Sequence, residues 1–301
     1  MARLPEAPSR PTRQAASYLA ARTSTPVMGP FPSRWRSATS AGPARPPRRP
    51  WLCPDHQETS SQTLDPRGEV SCSGQRFRQL CQEDSVLERF TWFKQSAYCY
   101  RGDGMTIYID PWGIPKEDVA DVVFITHAHF DHYNPDLEKV RGPKTKIVAP
   151  ADVARELSGD VTAVKPGQKL HVGGVAVETV PAYNIHPQRL QMHPKSNQWV
   201  GYILSLGGHR YYHAGDTDHL PELEQVKTEV AFIPIGGTYT MDVPEAVALV
   251  RKMSPQLAVP MHYGYVVGTV EDADRFAKAA HPVKVQMLKP VEAFPPEPVD
   301  E

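Results

Sequence analysis

One segment of the chain combines residues that could bind metal with a strand that could position them. It is FITHAHFDH at residues 124–132, in which three histidines and one aspartate occupy six positions, H-x-H-x-D-H, directly after an apolar run. The strand fixes the backbone, and the turn after it can aim His127, His129 and His132 at one point, with Asp131 between them. Neutral imidazole and carboxylate are ligands that suit zinc, iron or manganese. The segment therefore predicts a metal site.

Two later segments carry further ligand types. They are HAGDTD at residues 213–218 and PMHYG at residues 260–264. Together with the first motif they resemble the signature of the metallo-β-lactamase superfamily. The resemblance is to its small metal-dependent hydrolases, the group that includes the ascorbate-6-phosphate lactonase and the N-acylphosphatidylethanolamine phospholipase D. It covers about residues 86–294, and it implies an α+β fold, a four-layer αββα sandwich with the ligands on loops along one edge.

The resemblance also implies a centre of two divalent ions. Zinc is the first expectation, with Mn²⁺ and Fe²⁺ as alternatives. A carboxylate has two oxygens and can join two cations, which is the role expected for Asp216. The full set of expected ligands is His127, His129 and His193 for the first ion, Asp131, His132 and His262 for the second, and Asp216 for both.

The third histidine of the first ion is the open position in this set. Many members of the superfamily place that histidine almost immediately after the strand, where this chain has Asn184. His186 and His193 are the candidates. We favour His193 because it lies just before the strand predicted at residues 199–204, which can carry it back to the site. Asn184 could instead offer its amide oxygen to the ion or hydrogen-bond the substrate.

Other polar and aromatic side chains are expected around the ions. Asp110 ends a predicted strand, and the resemblance puts an aspartate there beneath the metal site, where it would accept a hydrogen bond from a ligand histidine and fix its tautomer. Tyr263 follows His262 and is expected to line an aromatic substrate pocket. His213 and His219 are expected to make only local hydrogen bonds.

The expected function is hydrolysis of a small ester, lactone or phosphoester by a metal-bound hydroxide. Two cations would acidify a bound water and stabilise the charge that develops on attack. Asp131 and Asp216 would be the catalytic carboxylates. The alternatives are a nuclease or phosphodiesterase of the same fold, and a protein that binds a metal or metabolite without turnover. An oxygen-reducing di-iron enzyme is disfavoured, because that class would more often have glutamate where His129 stands.

Charge and proline content divide the chain near residue 85. Residues 1–85 contain twelve Arg, no Lys and seven Asp plus Glu, a net charge of +5, which leaves −6 on residues 86–301; they also contain twelve of the 31 prolines. Such a segment cannot bury enough apolar area to offset its ordering entropy. We therefore predict a disordered extension at 1–85, a hydrolase domain at 86–294 and a tail at 295–301. The prolines oppose an amphipathic transit peptide, and we favour a native start at Val86.

Composition also bears on partners and compartment. A net charge of −1 for the whole chain gives no basic field, so no nucleic-acid partner is expected. No stretch approaches the roughly 20 apolar residues of a membrane span. Four cysteines without C-x-x-C spacing predict a reducing, cytoplasmic compartment, with Cys99 as a small buried residue. A small-molecule substrate is the expected partner, and exposed edge strands would allow a homo-oligomer.

From residue 87 onward, the sequence predicts short strands separated by turns and a few helices. Gly-Gly pairs at 173–174 and 207–208 predict hairpin turns. The predicted strands are 90–93, 96–100, 105–109, 122–125, 146–149, 167–172, 175–180, 199–204, 210–213, 230–235 and 257–261. The predicted helices are 134–140, 151–157, 243–250 and 271–280.

Overall fold

A computed structural model describes residues 86–295 of the chain. The predicted extension at 1–85 and the tail after residue 295 lie outside the described residues. The helices are α1 Leu137–Val140, α2 Ala151–Ala154, α3 Val243–Met253 and α4 Val270–Ala279. The strands are β1 Phe90–Trp92, β2 Tyr98–Gly102, β3 Met105–Ile109, β4 Val122–Phe124, β5 Lys146–Pro150, β6 Asp160–Val164, β7 Lys169–Val172, β8 Val175–Pro181, β9 Val200–Leu206, β10 His209–His213, β11 Val230–Pro234, β12 Leu257–Met261 and β13 Lys284–Val285.

These strands form two mixed sheets. The first sheet has the order β1-β2-β3-β4-β5-β6, and the second has the order β13-β12-β11-β10-β9-β8-β7. In each sheet a run of antiparallel strands joins a run of parallel strands: β1 to β3 and then β3 to β6 in the first, and β7 to β10 and then β10 to β13 in the second. The Gly173–Gly174 hairpin between β7 and β8 has positive φ at both glycines, which is the conformation that a two-residue type I′ turn requires.

Alternation along the strands explains how the layers form. In β3, Ile107 and Ile109 belong to the core shared by the two sheets, whereas Tyr108 between them belongs to a second cluster on the opposite face. That second cluster contains Leu137 and Val140 of α1, so the first two helices cover the outer face of the first sheet. The shared core continues into buried residues of α3 and α4, which cover the second sheet. The four-layer αββα sandwich expected from the sequence is confirmed.

Aromatic rings join the two sheets. The ring of Phe232 in β11 lies 5.1 Å from Phe90 and 4.7 Å from Tyr98, measured between centroids. Across the same interface, Tyr202 in β9 lies 5.1 Å from Phe124, and its hydroxyl donates a hydrogen bond of 2.8 Å to the carbonyl oxygen of Ile125. Because Ile125 follows β4 directly, this bond fixes the direction in which the chain leaves that strand.

The predicted strands and helices have counterparts in the structure, with ends that differ by a few residues. One such difference is at the helix predicted from residue 134: α1 begins only at Leu137, because the side chain of Asn134 accepts the backbone N–H of Asp136 at 2.9 Å and forms a turn instead. Two strands, β6 and β13, were not predicted. The strand β13 has only two residues, and β6 has five residues of which only Val164 is buried.

Burial confirms one smaller prediction, and helix length adds an observation. Cys99 is fully buried in the cluster beneath α1 and α2, as predicted. None of the helices within residues 86–295 is long and apolar enough to cross a membrane.

Replacing Phe232 with alanine tests the aromatic contact between the sheets. Phe232 is only 1% exposed, and removing a buried ring of this size should lower the free energy of unfolding by about 3–5 kcal/mol. Urea denaturation followed by tryptophan fluorescence measures the change. Val119→Ala is the control, because Val119 is 64% exposed and its loss should cost less than about 0.5 kcal/mol. Equal stability of the two variants would contradict this account of the core.

Candidate metal centre

The candidate residues follow strands whose carboxyl ends meet at one edge of the sandwich. In the first sheet, β3 leads to Asp110, and its parallel neighbour β4 leads to the H-x-H-x-D-H segment. In the second sheet, β8, β10 and β12 run in the same direction and lead to the loops that hold His193, Asp216 and His262. Strand direction therefore brings segments that are far apart in sequence to one place.

The first group of candidate ligands consists of His127, His129, His193 and Asp216. Each offers one nitrogen or oxygen atom, and these four atoms all lie within 4.8 Å of one another. His127 Nε2 is 3.1 Å from His129 Nδ1, and His193 Nε2 is 3.3 Å from the Oδ2 atom of Asp216. This is the set that the sequence predicted for the first ion.

The second group consists of Asp131, His132 and His262, whose ligand atoms also lie within 4.8 Å of one another. The Oδ2 atom of Asp131 is 3.4 Å from His132 Nε2 and 3.3 Å from His262 Nε2. Asp216 reaches this group as well. Its Oδ1 atom is 3.4 Å from His132 Nε2, and its Oδ2 atom is 3.0 Å from His262 Nε2. One carboxylate thus adjoins both groups.

Several buried atoms in these groups have no hydrogen-bond partner within the described part of the chain. They are the Nε2 atoms of His132 and His193, both ring nitrogens of His262 and the Oδ1 atom of Asp216. Buried polar atoms are almost always satisfied in folded proteins. Lone pairs on imidazole and carboxylate that converge without donors are what a divalent cation of the zinc, manganese or iron type requires. The donor set therefore fits metal ions.

Asp110 lies beneath His132 and orients it. The Oδ2 atom of Asp110 is 2.7 Å from His132 Nδ1, and the same carboxylate accepts hydrogen bonds from the backbone N–H and the hydroxyl of Thr126, at 2.8 Å and 2.6 Å. An anionic acceptor at Nδ1 keeps the proton on that nitrogen and leaves Nε2 free to bind metal. The sequence did not single out Thr126, whose hydroxyl also lies 3.0 Å from His127 Nδ1.

Backbone strain accompanies this arrangement. Asp110 has φ of 47° and His262 has φ of 57°, both in the left-handed region that residues other than glycine seldom adopt. Both residues stand directly after a strand and face the ligand groups. Such outliers persist where the surrounding structure holds them, commonly at functional sites.

The third histidine of the first group is His193 in this structure, and Asn184 lies beside it. His193 is fully buried, and its Nδ1 atom is 2.8 Å from the Oδ1 atom of Asn184. The amide thus contacts the ring nitrogen that faces away from the ligand group. His186 is only half-buried, and its Nδ1 atom accepts the backbone N–H of Gln188 at 3.4 Å. It belongs to neither group.

Three other residues considered from the sequence lie outside the ligand groups. Tyr263 is 2% exposed, and its ring packs against Trp92 at 5.3 Å and Phe294 at 5.6 Å, so it is part of the aromatic core behind His262. His213 Nε2 donates to the carbonyl oxygen of Ser96 at 2.9 Å. His219 Nε2 lies 2.9 Å from the carboxylate of Glu224. His219 thus bonds locally, as predicted, whereas the partner of His213 Nε2 lies 117 positions away along the chain.

Trp199 is a part of the site that the sequence did not indicate. Its ring centroid lies 5.0 Å from those of His127 and His129 and 5.7 Å from that of His193. The indole N–H donates to the carboxylate of Asp152 at 2.7 Å, which holds the ring in place. The ring also lines a cavity of about 400 Å³ next to the centre. The sequence predicts only that Trp199 begins an apolar strand.

Burial and neighbouring charges shift the pKa values of four histidines of the site in opposite directions. Burial, reinforced by the charge of His132, holds the pKa of His127 well below its usual value, and burial lowers the pKa of His129 to about 4. Burial also opposes the charged form of His262, but Asp216 and Asp131 outweigh it and raise the pKa to about 9. The same carboxylates, with Asp110, raise the pKa of His132 despite its burial. His127 and His129 are thus neutral imidazoles, whereas His132 and His262 pair as imidazolium with carboxylate.

A two-sheet αββα sandwich with this histidine and aspartate edge defines a metal-binding protein of the metallo-β-lactamase type. The family model of the beta-lactamase superfamily domain matches residues 89–262, and the chain belongs to that superfamily. Curated relatives agree. The chain is 29% identical over 229 residues to a UPF0173 metal-dependent hydrolase of Archaeoglobus fulgidus, covering 68% of this chain and 98% of the relative. It is 33% identical over 221 residues to a UPF0173 protein of Pyrococcus abyssi, covering 68% and 99%.

Solved structures give the same result. A protein of Parabacteroides distasonis described as a metal-dependent hydrolase is 30% identical, with a TM-score of 0.59 over 66% of this chain and 91% of its own. A metallo hydrolase of Ignicoccus hospitalis is 27% identical, with a TM-score of 0.56 over 67% of this chain and 95% of its own. Three of these four proteins are thus named as metal-dependent or metallo hydrolases.

The raised pKa of His262 predicts that metal binding releases protons. At pH 7.5 the imidazole of His262, with a pKa of about 9, carries a proton that must leave before Nε2 can bind a cation. The apparent affinity for Zn²⁺ should therefore rise as the pH increases from 7 towards 9. Calorimetric titration of the metal-free chain in two buffers of different ionisation enthalpy measures the protons released, and we expect about one or more per chain. An affinity independent of pH, with no proton release, would contradict this charge arrangement.

Proposed function

We propose that the chain is a binuclear metal-dependent hydrolase that acts on a small ester, lactone or phosphoester. The observation that carries the proposal is the pair of adjoining ligand groups, with Asp216 next to both. A single structural zinc site would be closed with four ligands, whereas here seven side chains are arranged around two neighbouring positions. The names of the related proteins, which are metal-dependent hydrolases, support the same class.

We expect two roles among the residues of the site: holding the ions and contacting the substrate. His127, His129 and His193 would hold one ion, Asp131, His132 and His262 the other, and Asp216 both. When bound, two divalent ions, zinc in the first instance, supply an acidified water as nucleophile and polarise the bond to be cut.

The two carboxylates differ in what they can contact. The side chain of Asp216 is 3% exposed, and the ion pairs that it makes within residues 86–295 are all with histidines, which suits a residue that holds cations in place. The side chain of Asp131 is 19% exposed, so it is the carboxylate that a substrate or a proton in transit can reach. This difference in exposure supports a role in proton transfer for Asp131 and a positioning role for Asp216.

Aromatic side chains near Asp131 favour a small organic substrate. Phe130 precedes it in the chain and is 41% exposed, which is unusual for a ring of this size. Tyr239 is half-buried, and burial together with the charge of Asp131 raises the pKa of its hydroxyl. The net charge of −6 on residues 86–301 would repel a polyanion, so a nucleic-acid substrate is disfavoured.

Asparagine at each carboxylate position tests the proposal. Asp131→Asn keeps the shape of the side chain but removes its basicity, and activity should fall by about 10²–10⁴-fold. Asp216→Asn should lower the metal content at both groups and Asp131→Asn only at the second group, because an amide is a weaker ligand than a carboxylate. Hydrolysis of an ester, lactone and phosphodiester panel after loading with Zn²⁺ or Mn²⁺, together with elemental analysis, measures both effects.

A third variant is the control for these two. Asp160→Asn makes the same chemical change in the exposed ion pair with Lys146 at the edge of the first sheet, and it should leave activity and metal content unchanged. Close to two metals per chain, with turnover that a chelator abolishes, is the expected result for the unaltered protein. Full activity of a metal-stripped Asp216→Asn variant would refute the mechanism.

A further inference from the structure

The amide of Asn184 can take only one orientation in this structure. Its Nδ2 atom lies 2.8 Å from the carboxylate of Asp218 and 3.0 Å from the carbonyl oxygen of Tyr239, and both of these atoms accept hydrogen bonds only. Its Oδ1 atom accepts the backbone N–H of His193 at 3.1 Å. Exchanging the two atoms of the amide would face donor with donor and acceptor with acceptor. Oδ1 must therefore point towards His193.

This orientation determines the tautomer of His193. The ring atom Nδ1 lies 2.8 Å from the oxygen of Asn184, so Nδ1 must carry the proton and donate it. The other nitrogen, Nε2, then presents its lone pair to the first ligand group, where it lies 3.3 Å from the carboxylate of Asp216. A neutral amide thus does for His193 what the carboxylate of Asp110 does for His132.

Asp218 is the group that holds Asn184. It is 1% exposed, and its carboxylate receives four hydrogen bonds. One oxygen accepts from the amide of Asn184 and from Nε of Arg189, and the other accepts the backbone N–H groups of Ile185 and His186 at 2.7 Å and 2.8 Å. The carboxylate therefore fixes both the side chain of Asn184 and the first residues of the loop that carries His193.

Arg189 fixes Asp218 in turn and connects it to helix α3. Its guanidinium donates to Asp218, to the carbonyl oxygen of Gly237 at 3.2 Å and to the carboxylate of Glu245 at 2.6 Å. Glu245 is part of the capping box at the start of α3, where its backbone N–H donates to Asp242 at 2.8 Å. The network thus ends on a rigid helix terminus.

The burial of this network argues for more than stability. Arg189 is only 7% exposed, and a buried ion pair often gains little over apolar packing because both charges lose their hydration. The network, however, joins the loops after β8, β10 and β11. It also reaches Nδ1 of His193, the ring nitrogen whose proton determines how His193 can bind a cation.

We propose that Asn184, Asp218 and Arg189 are positioning residues that hold His193 as the Nδ1–H tautomer and so set the affinity of the first ligand group for its cation. The inference rests on the proposed metal centre. It predicts that the first group depends on this network and that the second group, oriented by Asp110, does not.

Two variants break the network at different points. Asn184→Leu removes the acceptor of His193, and Arg189→Met removes the cation that holds Asp218. In both, Zn²⁺ affinity of the first group should fall by about 10–100-fold, while the second group keeps its affinity. Arg189→Lys retains a charge next to Asp218 and should restore part of the loss. Arg210→Met is the matched control, because it removes the 2.8 Å ion pair with Glu178 on the strands, away from this network.

The tautomer of His193 is the measurement that distinguishes a positioning role from a merely structural one. Nitrogen-15 NMR of the imidazole in the metal-free chain should show a protonated Nδ1 and an unprotonated Nε2, and Asn184→Leu should give a mixture of both tautomers. Retention of the second group's Zn²⁺ affinity shows that each variant has folded. An Asn184→Leu chain with an unchanged tautomer and unchanged affinity at both groups would overturn the inference. A wild-type chain that bound no Zn²⁺ would contradict the proposed function instead, and the tautomer measurement would still decide the positioning role.

Discussion

The buried carboxylate of Asp216 is the group on which the rest of the site depends. A carboxylate that is 3% exposed loses most of its hydration, and the fold must supply opposite charge to keep it ionised. In the metal-free chain, His132 and His262 supply it and hold the pKa of Asp216 low despite burial. The backbone before Asp216 is held just as closely: a Cβ at Gly201 in β9 would lie 2.7 Å from the carbonyl oxygen of Ala214, so only glycine fits there. The packing of β9 and the charge balance around Asp216 therefore both fix the position of this carboxylate.

The two ligand groups differ in how their charges are balanced and in how their histidines are oriented. The second group combines charged imidazoles with carboxylates, and Asp110 orients His132 through a direct ionic hydrogen bond. In the first group, burial lowers the pKa values of His127 and His129, and the ring of His193 is oriented by a neutral amide. Cation binding therefore displaces protons mainly at the second group, whereas at the first group it depends on the correct tautomer. Two sites that share one aspartate can differ in affinity for this reason.

The sequence predicted those parts of the structure that are encoded locally. Strands with alternating or continuous apolar residues, hairpins at Gly-Gly pairs and the ligand motif at residues 127–132 can all be recognised within a few positions. The edge strands β6 and β13 were not predicted: β13 has only two residues, and in β6 only Val164 is buried. The contact of Arg189 with Asp218 joins residues that are 29 positions apart and lie in different loops. No spacing rule connects such a pair, and only the folded chain shows it.

The departure at Asn184 illustrates how a ligand position can move along the chain without leaving the site. The loop from Asn184 to His193 closes on itself: the backbone N–H of Asn184 donates to the carbonyl oxygen of His193 at 2.9 Å, and the side chain of Asn184 accepts the N–H of His193 at 3.1 Å. The histidine therefore returns to the point where the strand ends, nine residues after it left. A ligand on a strand end is positioned by the sheet, whereas one on a closed loop needs other contacts to hold the loop. The buried Asp218 and Arg189 provide those contacts, which explains why charged groups are buried at a place where the superfamily resemblance alone would require only a histidine.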